Sequence, residues 1–131
     1  MTLPLWCLLA AALLHVVSKA PLALAMAREG RGYDNHNPRD QQARLTGWGR
    51  RAKAVHDNQI ESFPLFAAGV VAAMVSAPGS AGVGLAAAAY VIARLVYMAL
   101  YLADLATLRS AVWTVGYLAS VALIAAPLWA R

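Results

Sequence analysis

Residues 51–64 read RAKAVHDNQIESFP, and residues 93–101 read ARLVYMALY. Each stretch places charged and polar groups inside a long apolar segment. A charge in hydrocarbon is costly, so it is retained mainly where it faces a protein interior or a water-filled cavity. The alternative is that these groups only lie at a membrane edge or bond helices together. Their spacing favours a polar site between helices.

The composition excludes an ordinary soluble domain. Of the 131 residues, 61% are hydrophobic and 13% are charged, and the mean hydropathy is +0.57. Soluble domains carry about 25% charged residues. The length suits one domain that covers residues 1–131. The single cysteine, Cys7, lies in an apolar segment and is predicted to be a buried, inert thiol.

Four segments are long enough to span a bilayer, which takes about 20 apolar residues. They cover residues 3–27, 54–76, 81–103 and 108–129. The first has no basic n-region and is long for a signal peptide, so we interpret it as a retained span. Short connections make neighbouring spans antiparallel, and Thr107 is a candidate N-cap of the last helix. The predicted fold class is all-α integral membrane, an antiparallel four-helix transmembrane bundle.

Positive charge is concentrated between the first two spans. The formal net charge is +5, and loops rich in Lys and Arg stay on the cytoplasmic side of a membrane. The sequence therefore predicts a cytoplasmic basic loop, with both termini on the opposite side and no nucleic-acid partner. Residues 30–40 are rich in turn-forming types and predict an ordered lid or a membrane-surface loop. His36 has no metal-ligand spacing around it. The cations of this region are Arg28, Arg31, Arg39, Arg44, Arg50, Arg51 and Lys53.

The second helix carries a polar stripe. Residues at offsets of 3, 7 and 10 lie along one face of a helix, and here they are Arg51, Ala54, Asn58 and Glu61. Lys53 and Asp57, on a flanking face, are predicted to form an i, i+4 ion pair.

The third helix repeats these offsets with Arg94, Tyr97, Tyr101 and Asp104. Arg94 lies about 15 Å from the cytoplasmic end of the helix, at 1.5 Å per residue, so it needs an internal partner. Glu61 is at a comparable depth on the facing helix, and we predict that the two residues pair. An arginine offers five N–H donors. Because one carboxylate does not use all five, the remainder can hold a carboxylate of a ligand.

The fourth helix opens with Arg109 and Ser110. Free N–H groups and the helix dipole attract anions to a helix N-terminus. A thiolate placed there would be stabilised, and its pKa would fall below the free value of about 8.5. The alternative is that Arg109 is only an interfacial anchor. Together these side chains suit a flexible anionic ligand, while the sequence shows no Ser-His-Asp triad, zinc spacing, phosphate loop or dinucleotide fingerprint.

Three motifs resemble those of the MAPEG family, the membrane-associated proteins in eicosanoid and glutathione metabolism. They are Asn58-x-x-Glu61-x-x-Pro64, Arg94-x-x-Tyr97-x-x-x-Tyr101 and Arg109-Ser110. The resemblance covers all four spans, and residues 33–39 look like the loop of small bacterial members. It implies a homotrimer in the bacterial inner membrane, with glutathione bound between neighbouring protomers near the cytoplasmic face.

By the same resemblance, one group of residues binds glutathione and another stabilises its thiolate. Arg109 with Ser110 would act on the thiolate. Catalytic relatives often carry a basic residue at the position of Ala54, so Arg51 or Lys53 is expected to take that role here, and Arg28 or Arg31 to contribute from the first loop. The remaining glutathione-binding residues implied by the resemblance are Asn58, Glu61, Arg94, Tyr97 and Tyr101.

The resemblance favours a membrane-bound glutathione-dependent transferase or peroxidase that acts on lipophilic electrophiles. Its partners would be copies of itself, a lipophilic small molecule and membrane lipid. An alternative is a non-catalytic lipid-binding or scaffold protein on the same fold, which Ala54 favours. A third hypothesis, a small multidrug transporter, is disfavoured because such transporters place a lone acid in the first span, whereas Glu61 lies in the second.

Overall fold

A computed structural model describes residues 2–130, and Met1 and Arg131, the two ends of the predicted domain, lie outside the described residues. Every regular element within 2–130 is a helix. In chain order they are α1 (Leu3–Ala27), α2 (Pro38–Arg44), α3 (Gly47–Ser76), α4 (Ala81–Leu102), α5 (Ala106–Ile124) and α6 (Ala126–Trp129).

Four of these helices, α1, α3, α4 and α5, are long and apolar enough to cross a membrane. Each of the four predicted segments is helical, and the largest differences are at the start of α3 and the end of α5. Helix α3 begins at Gly47, before the predicted residue 54, because a polar first part continues the helix beyond its apolar segment. The predicted span 108–129 is divided after Ile124, where Pro127 in the first turn of α6 lacks the N–H that would continue α5.

The prediction of Thr107 as an N-cap is wrong. Helix α5 begins at Ala106, with Leu105 in the capping position, so Thr107 already lies in the first turn. The chain reaches this point through Asp104, whose φ of 62° is in the left-handed region. Two backbone bonds close the turn, from Asp104 N to the Tyr101 carbonyl at 3.1 Å and from Leu105 N to the Leu100 carbonyl at 3.0 Å. The turn places the start of α5 beside the end of α4.

The bundle is held by apolar contacts between neighbouring helices. Helix α4 packs along α5, α1 packs along α3, and α3 also packs on α5. In the main core the rings of Phe66 and Tyr90 stack at 3.8 Å with only 4° between their planes. The Tyr90 hydroxyl lies 2.8 Å from Ser62 Oγ, so its polar end is satisfied. Cys7 is buried in this core, as predicted.

Helices α3 and α5 approach closely at Gly69. A Cβ atom there would lie 2.9 Å from both Leu123 Cβ and the Ser120 carbonyl oxygen. We expect Gly69→Ala to push the two helices apart and to cost about 1–3 kcal/mol of stability. Thermal unfolding in detergent measures the loss. Gly79→Ala is the control, because no atom lies within 4 Å of that position, and an equal melting temperature for the two variants would contradict the close contact.

The basic loop is ordered by one buried amide. Gln41 is 2% exposed. Its Nε2 donates to the Met26 carbonyl at 3.1 Å, to Glu29 Oε2 at 2.9 Å and to the Gly32 carbonyl at 2.8 Å. Its Oε1 accepts the Asp34 backbone N–H at 2.9 Å. The predicted ordered loop is confirmed, since this one side chain joins the end of α1 to residues 29–34.

The turn cluster is stabilised by Asp34. Its carboxylate accepts the backbone N–H groups of His36 and Asn37, each at 2.9 Å. These bonds lower the pKa of Asp34 from its ordinary value, and the bond from Asn37 has the largest effect. The acid therefore serves the turn and is not a free charge of the loop.

Candidate functional site

The centre of the polar interior is Arg94 on α4, whose side chain is buried although it carries a charge. The residue is 2% exposed. Its Nε donates to Gln59 Oε1 at 2.9 Å, and its Nη1 donates to Asn58 Oδ1 at 2.9 Å. The third nitrogen, Nη2, is buried with no hydrogen-bond partner among the described residues. Two of the three guanidinium nitrogens are thus bonded to amides of α3, while the N–H donors of Nη2 are unused.

The predicted pairing of Arg94 with Glu61 is wrong. Glu61 follows Gln59 by two residues, and two residues turn a helix by about 200° at 3.6 residues per turn. A helix that directs Gln59 to Arg94 therefore directs Glu61 away from it. Glu61 is exposed and lines a cleft between α3 and α5. Sequence reasoning also missed Gln59, because an uncharged residue between two motif residues gave no signal of its own.

Two tyrosines connect Arg94 to Arg109. The Arg94 Cζ atom lies 4.3 Å from the centroid of the Tyr97 ring. Tyr97 meets Tyr101 edge to face, with centroids 5.6 Å apart, and the Arg109 Cζ atom lies 4.1 Å from the Tyr101 centroid. Guanidinium groups over aromatic faces are attracted by the ring quadrupole. The row Arg94–Tyr97–Tyr101–Arg109 therefore fixes both cations relative to each other.

This row borders an open cleft, which we name the polar cleft. Its volume is about 220 Å³, and its lining residues are Asn58, Tyr97, Tyr101, Arg109, Ser110 and Trp113. Five of the eight predicted site residues are in that set. Arg94 reaches the cleft through its partner Asn58.

A second cleft, the aromatic cleft, continues from the first along α3 and α5. Its volume is about 170 Å³, and it is lined by Asn58, Glu61, Ser62, Leu65, Trp113, Tyr117 and Ser120. Asn58 and Trp113 border both clefts. The rings of Trp113 and Tyr117 are nearly parallel, at 8°, with centroids 5.3 Å apart. A molecule in the aromatic cleft therefore lies next to whatever occupies the polar cleft.

A comparison with protein families decides the assignment. The model of the MAPEG family matches residues 3–129. The chain belongs to the MAPEG family. The match covers nearly the whole chain and confirms the resemblance carried by the three motifs. Together with the four apolar helices it makes the chain an integral membrane protein. No curated protein and no solved structure matches it.

Arg51 lies apart from the residues that line the polar cleft of this MAPEG protein. Its Nη1 is 3.7 Å from Asp104 Oδ2, and the two side chains are 30% and 68% exposed. The pair joins α3 to the turn between α4 and α5. The Arg51 Nε atom is buried without a hydrogen-bond partner among residues 2–130. The predicted pair of Lys53 and Asp57 is confirmed.

The opposite side of α3 carries another polar cluster that the sequence analysis did not assign. Ser18 is buried on α1, and its Oγ lies 2.9 Å from His56 Nδ1 and donates to the His15 carbonyl at 2.9 Å. The rings of His15 and His56 meet edge to face at 5.3 Å. Within the described residues, no group of three or more His, Cys, Asp or Glu side chains has the geometry of a metal site.

Proposed function

We propose that this MAPEG protein is a glutathione-dependent transferase or peroxidase that acts on lipophilic electrophiles within the membrane. The observation that carries the proposal is the polar cleft. It is bordered by Arg109 and Ser110 at one side and by Asn58, the partner of the unbalanced Arg94, at the other. Arg109 lines this volume, and Arg94 lies directly behind Asn58 at its edge, so the two cations suit a ligand with more than one anionic group.

The nucleophile of the proposed reaction belongs to the ligand. The single cysteine of the chain is buried in the core on α1 and does not line either cleft. In the proposed arrangement a glutathione carboxylate bonds to Arg94, the Asn58 amide bonds to the peptide backbone of the ligand, and Glu61 bonds to its amine. The ligand sulfur then lies beside the Arg109 guanidinium and the Ser110 hydroxyl.

The proposed chemistry rests on stabilising a thiolate. A neighbouring guanidinium favours the charged form, so it lowers the pKa of the bound thiol below about 8.5. In a transfer reaction the sulfur forms a bond to carbon, and the leaving group departs with the electron pair. In peroxide reduction the sulfur attacks oxygen, the O–O bond breaks, and a second glutathione reduces the sulfenic acid to give the disulfide. Proximity and charge stabilisation supply the rate.

The proposal extends to the assembly. Glu61 lies near the middle of α3 and is exposed in the single chain. A carboxylate that faces hydrocarbon is costly, so we expect a neighbouring copy to cover it in a homotrimer, with glutathione between protomers. The same proposal includes residues 1–131 as one domain in a bacterial inner membrane, with the basic loop on the cytoplasmic side and both termini opposite.

Calorimetric titration of the detergent-solubilised protein with glutathione tests this function. We expect saturable binding, accompanied by ultraviolet absorbance of the thiolate at a pH where free glutathione shows little. A subsequent screen with aryl halides and lipid hydroperoxides distinguishes transferase from peroxidase activity. No binding at millimolar glutathione would contradict the proposal.

A second candidate is a non-catalytic lipid-binding or scaffold protein on the same fold. Ala54 favours it, since that half-buried side chain has no charge and catalytic relatives often carry a basic residue there. The aromatic cleft, with its parallel rings of Trp113 and Tyr117, suits an apolar ligand without glutathione. Lipid binding that is unchanged by glutathione would support this candidate.

A further inference from the structure

Gln59 holds Arg94 in a single orientation. Gln59 is fully buried on α3. Its Oε1 accepts the Nε–H of Arg94 at 2.9 Å, and its Nε2 donates to the Ala11 carbonyl of α1 at 3.3 Å. Reversing the amide would place its NH₂ group against the Arg94 donor and its oxygen against the Ala11 carbonyl. The backbone of α1 therefore fixes which end of the amide meets Arg94.

No carboxylate among the described residues balances the charge of Arg94. Among residues 2–130 the ion pairs are Arg51 with Asp104 and Lys53 with Asp57. The two hydrogen-bond acceptors of Arg94 are both neutral amides. An unpaired buried charge is strongly destabilising, and a glutamate at position 59 has nearly the shape of glutamine and would supply the missing charge. A glutamate at this position would therefore balance the charge of Arg94, although it would also lose the donor that the Ala11 carbonyl accepts from Gln59.

We propose that Gln59 is a positioning residue that orients Arg94 while leaving its positive charge free for a carboxylate of the ligand. The buried Nη2 atom, which has no hydrogen-bond partner within residues 2–130, is the group that receives this carboxylate. The inference rests on the proposed function, because glutathione supplies the carboxylate. It explains why position 59 carries a neutral amide, because a carboxylate there would compete with the ligand carboxylate for Arg94.

The test is Gln59→Glu, which keeps the acceptor and changes the charge. We expect glutathione affinity, measured by calorimetry, to fall by about tenfold or more. The melting temperature is expected to change little, because the buried guanidinium gains a counter-ion while the Ala11 carbonyl loses its donor. The control is Gln42→Glu, since Gln42 is half-buried in the basic loop and the variant carries the same change of net charge; its affinity is expected to match that of the wild type.

The diethyl ester of glutathione separates charge competition from a loss of structure. The ester has no free carboxylate, so Gln59→Glu is expected to change its affinity by less than about twofold. Equal losses for glutathione and for the ester would overturn the proposal and leave Gln59 a purely structural role. Unchanged glutathione binding in Gln59→Glu would also overturn it, while leaving the proposed function intact. An absence of glutathione binding in the wild type would overturn both.

A second variant keeps the test decisive if Gln59→Glu does not fold. Asn58→Asp places a carboxylate on the other acceptor of Arg94 at a half-buried position, where a charge is tolerated better. It is expected to weaken glutathione binding more than binding of the ester. An equal effect on both ligands would overturn the proposal.

Discussion

Replacing Arg94 by methionine is expected to weaken glutathione binding by about a hundredfold or more. The estimate follows from charged hydrogen bonds, each worth about 1.5–3 kcal/mol, and from the donors that Arg94 has to spare. The methionine fills much of the same buried volume, so the loss reflects charge and donors more than packing. Calorimetry of the purified variant measures the affinity.

Stability is the internal check on this variant. Arg94→Met removes an unbalanced buried charge, which is favourable, and leaves the acceptors of Gln59 and Asn58 unsatisfied, which is unfavourable. We therefore expect a melting temperature close to that of the wild type. Arg39→Met is the matched control, because Arg39 is exposed on α2 and distant in sequence from every residue of the polar cleft. Undiminished binding in Arg94→Met would move the ligand out of this site.

The fold followed from the sequence because apolar length alone selects membrane-spanning helices. Hydropathy placed α1 and α4 within a residue of their ends. It failed where helix and apolar segment differ: α3 begins in polar residues at Gly47, and α5 ends at Ile124 because of Pro127. A hydropathy pattern predicts which residues contact lipid. The start of α3 and the end of α5 depend instead on hydrogen bonding of the backbone.

The sequence predicted which residues of α4 share a face, but it predicted the wrong partner for Arg94. Helical spacing correctly grouped Tyr97 and Tyr101 with Arg94, and the structure connects them through ring contacts. Opposite charge predicted Glu61 as the partner of Arg94. In the structure Arg94 instead donates hydrogen bonds to Asn58 and Gln59. Depth along a helix limits the candidates, but the rotation of α3 about its axis selects among them. That rotation is set by packing between helices, which no single motif encodes.

The function of Arg109 is separable from that of Arg94. Replacing Arg109 by alanine is expected to lower kcat by about 10²–10³-fold, the range seen when one group that stabilises a developing anion is removed. Glutathione affinity is expected to change little, because Arg94 and Asn58 remain. Arg109 lies at the opposite end of the row of tyrosines, with its Cζ atom 4.1 Å from the Tyr101 centroid, so its removal leaves the Arg94 contacts in place. Steady-state kinetics and calorimetry together measure the two effects.

The pH dependence gives Arg109→Ala a signature that a general loss of structure lacks. Without the guanidinium the pKa of the bound thiol returns towards about 8.5 or above. Thiolate then forms only as the pH rises through that value, so the deficit of the variant should shrink in alkaline solution and widen below pH 7. Ser110→Ala keeps the cation and is expected to lose less activity than Arg109→Ala. Arg109→Lys is expected to recover part of the activity, because lysine restores the positive charge. A deficit that is constant from acid to alkaline pH would mean that Arg109 does not act on the thiolate and serves only to hold Tyr101.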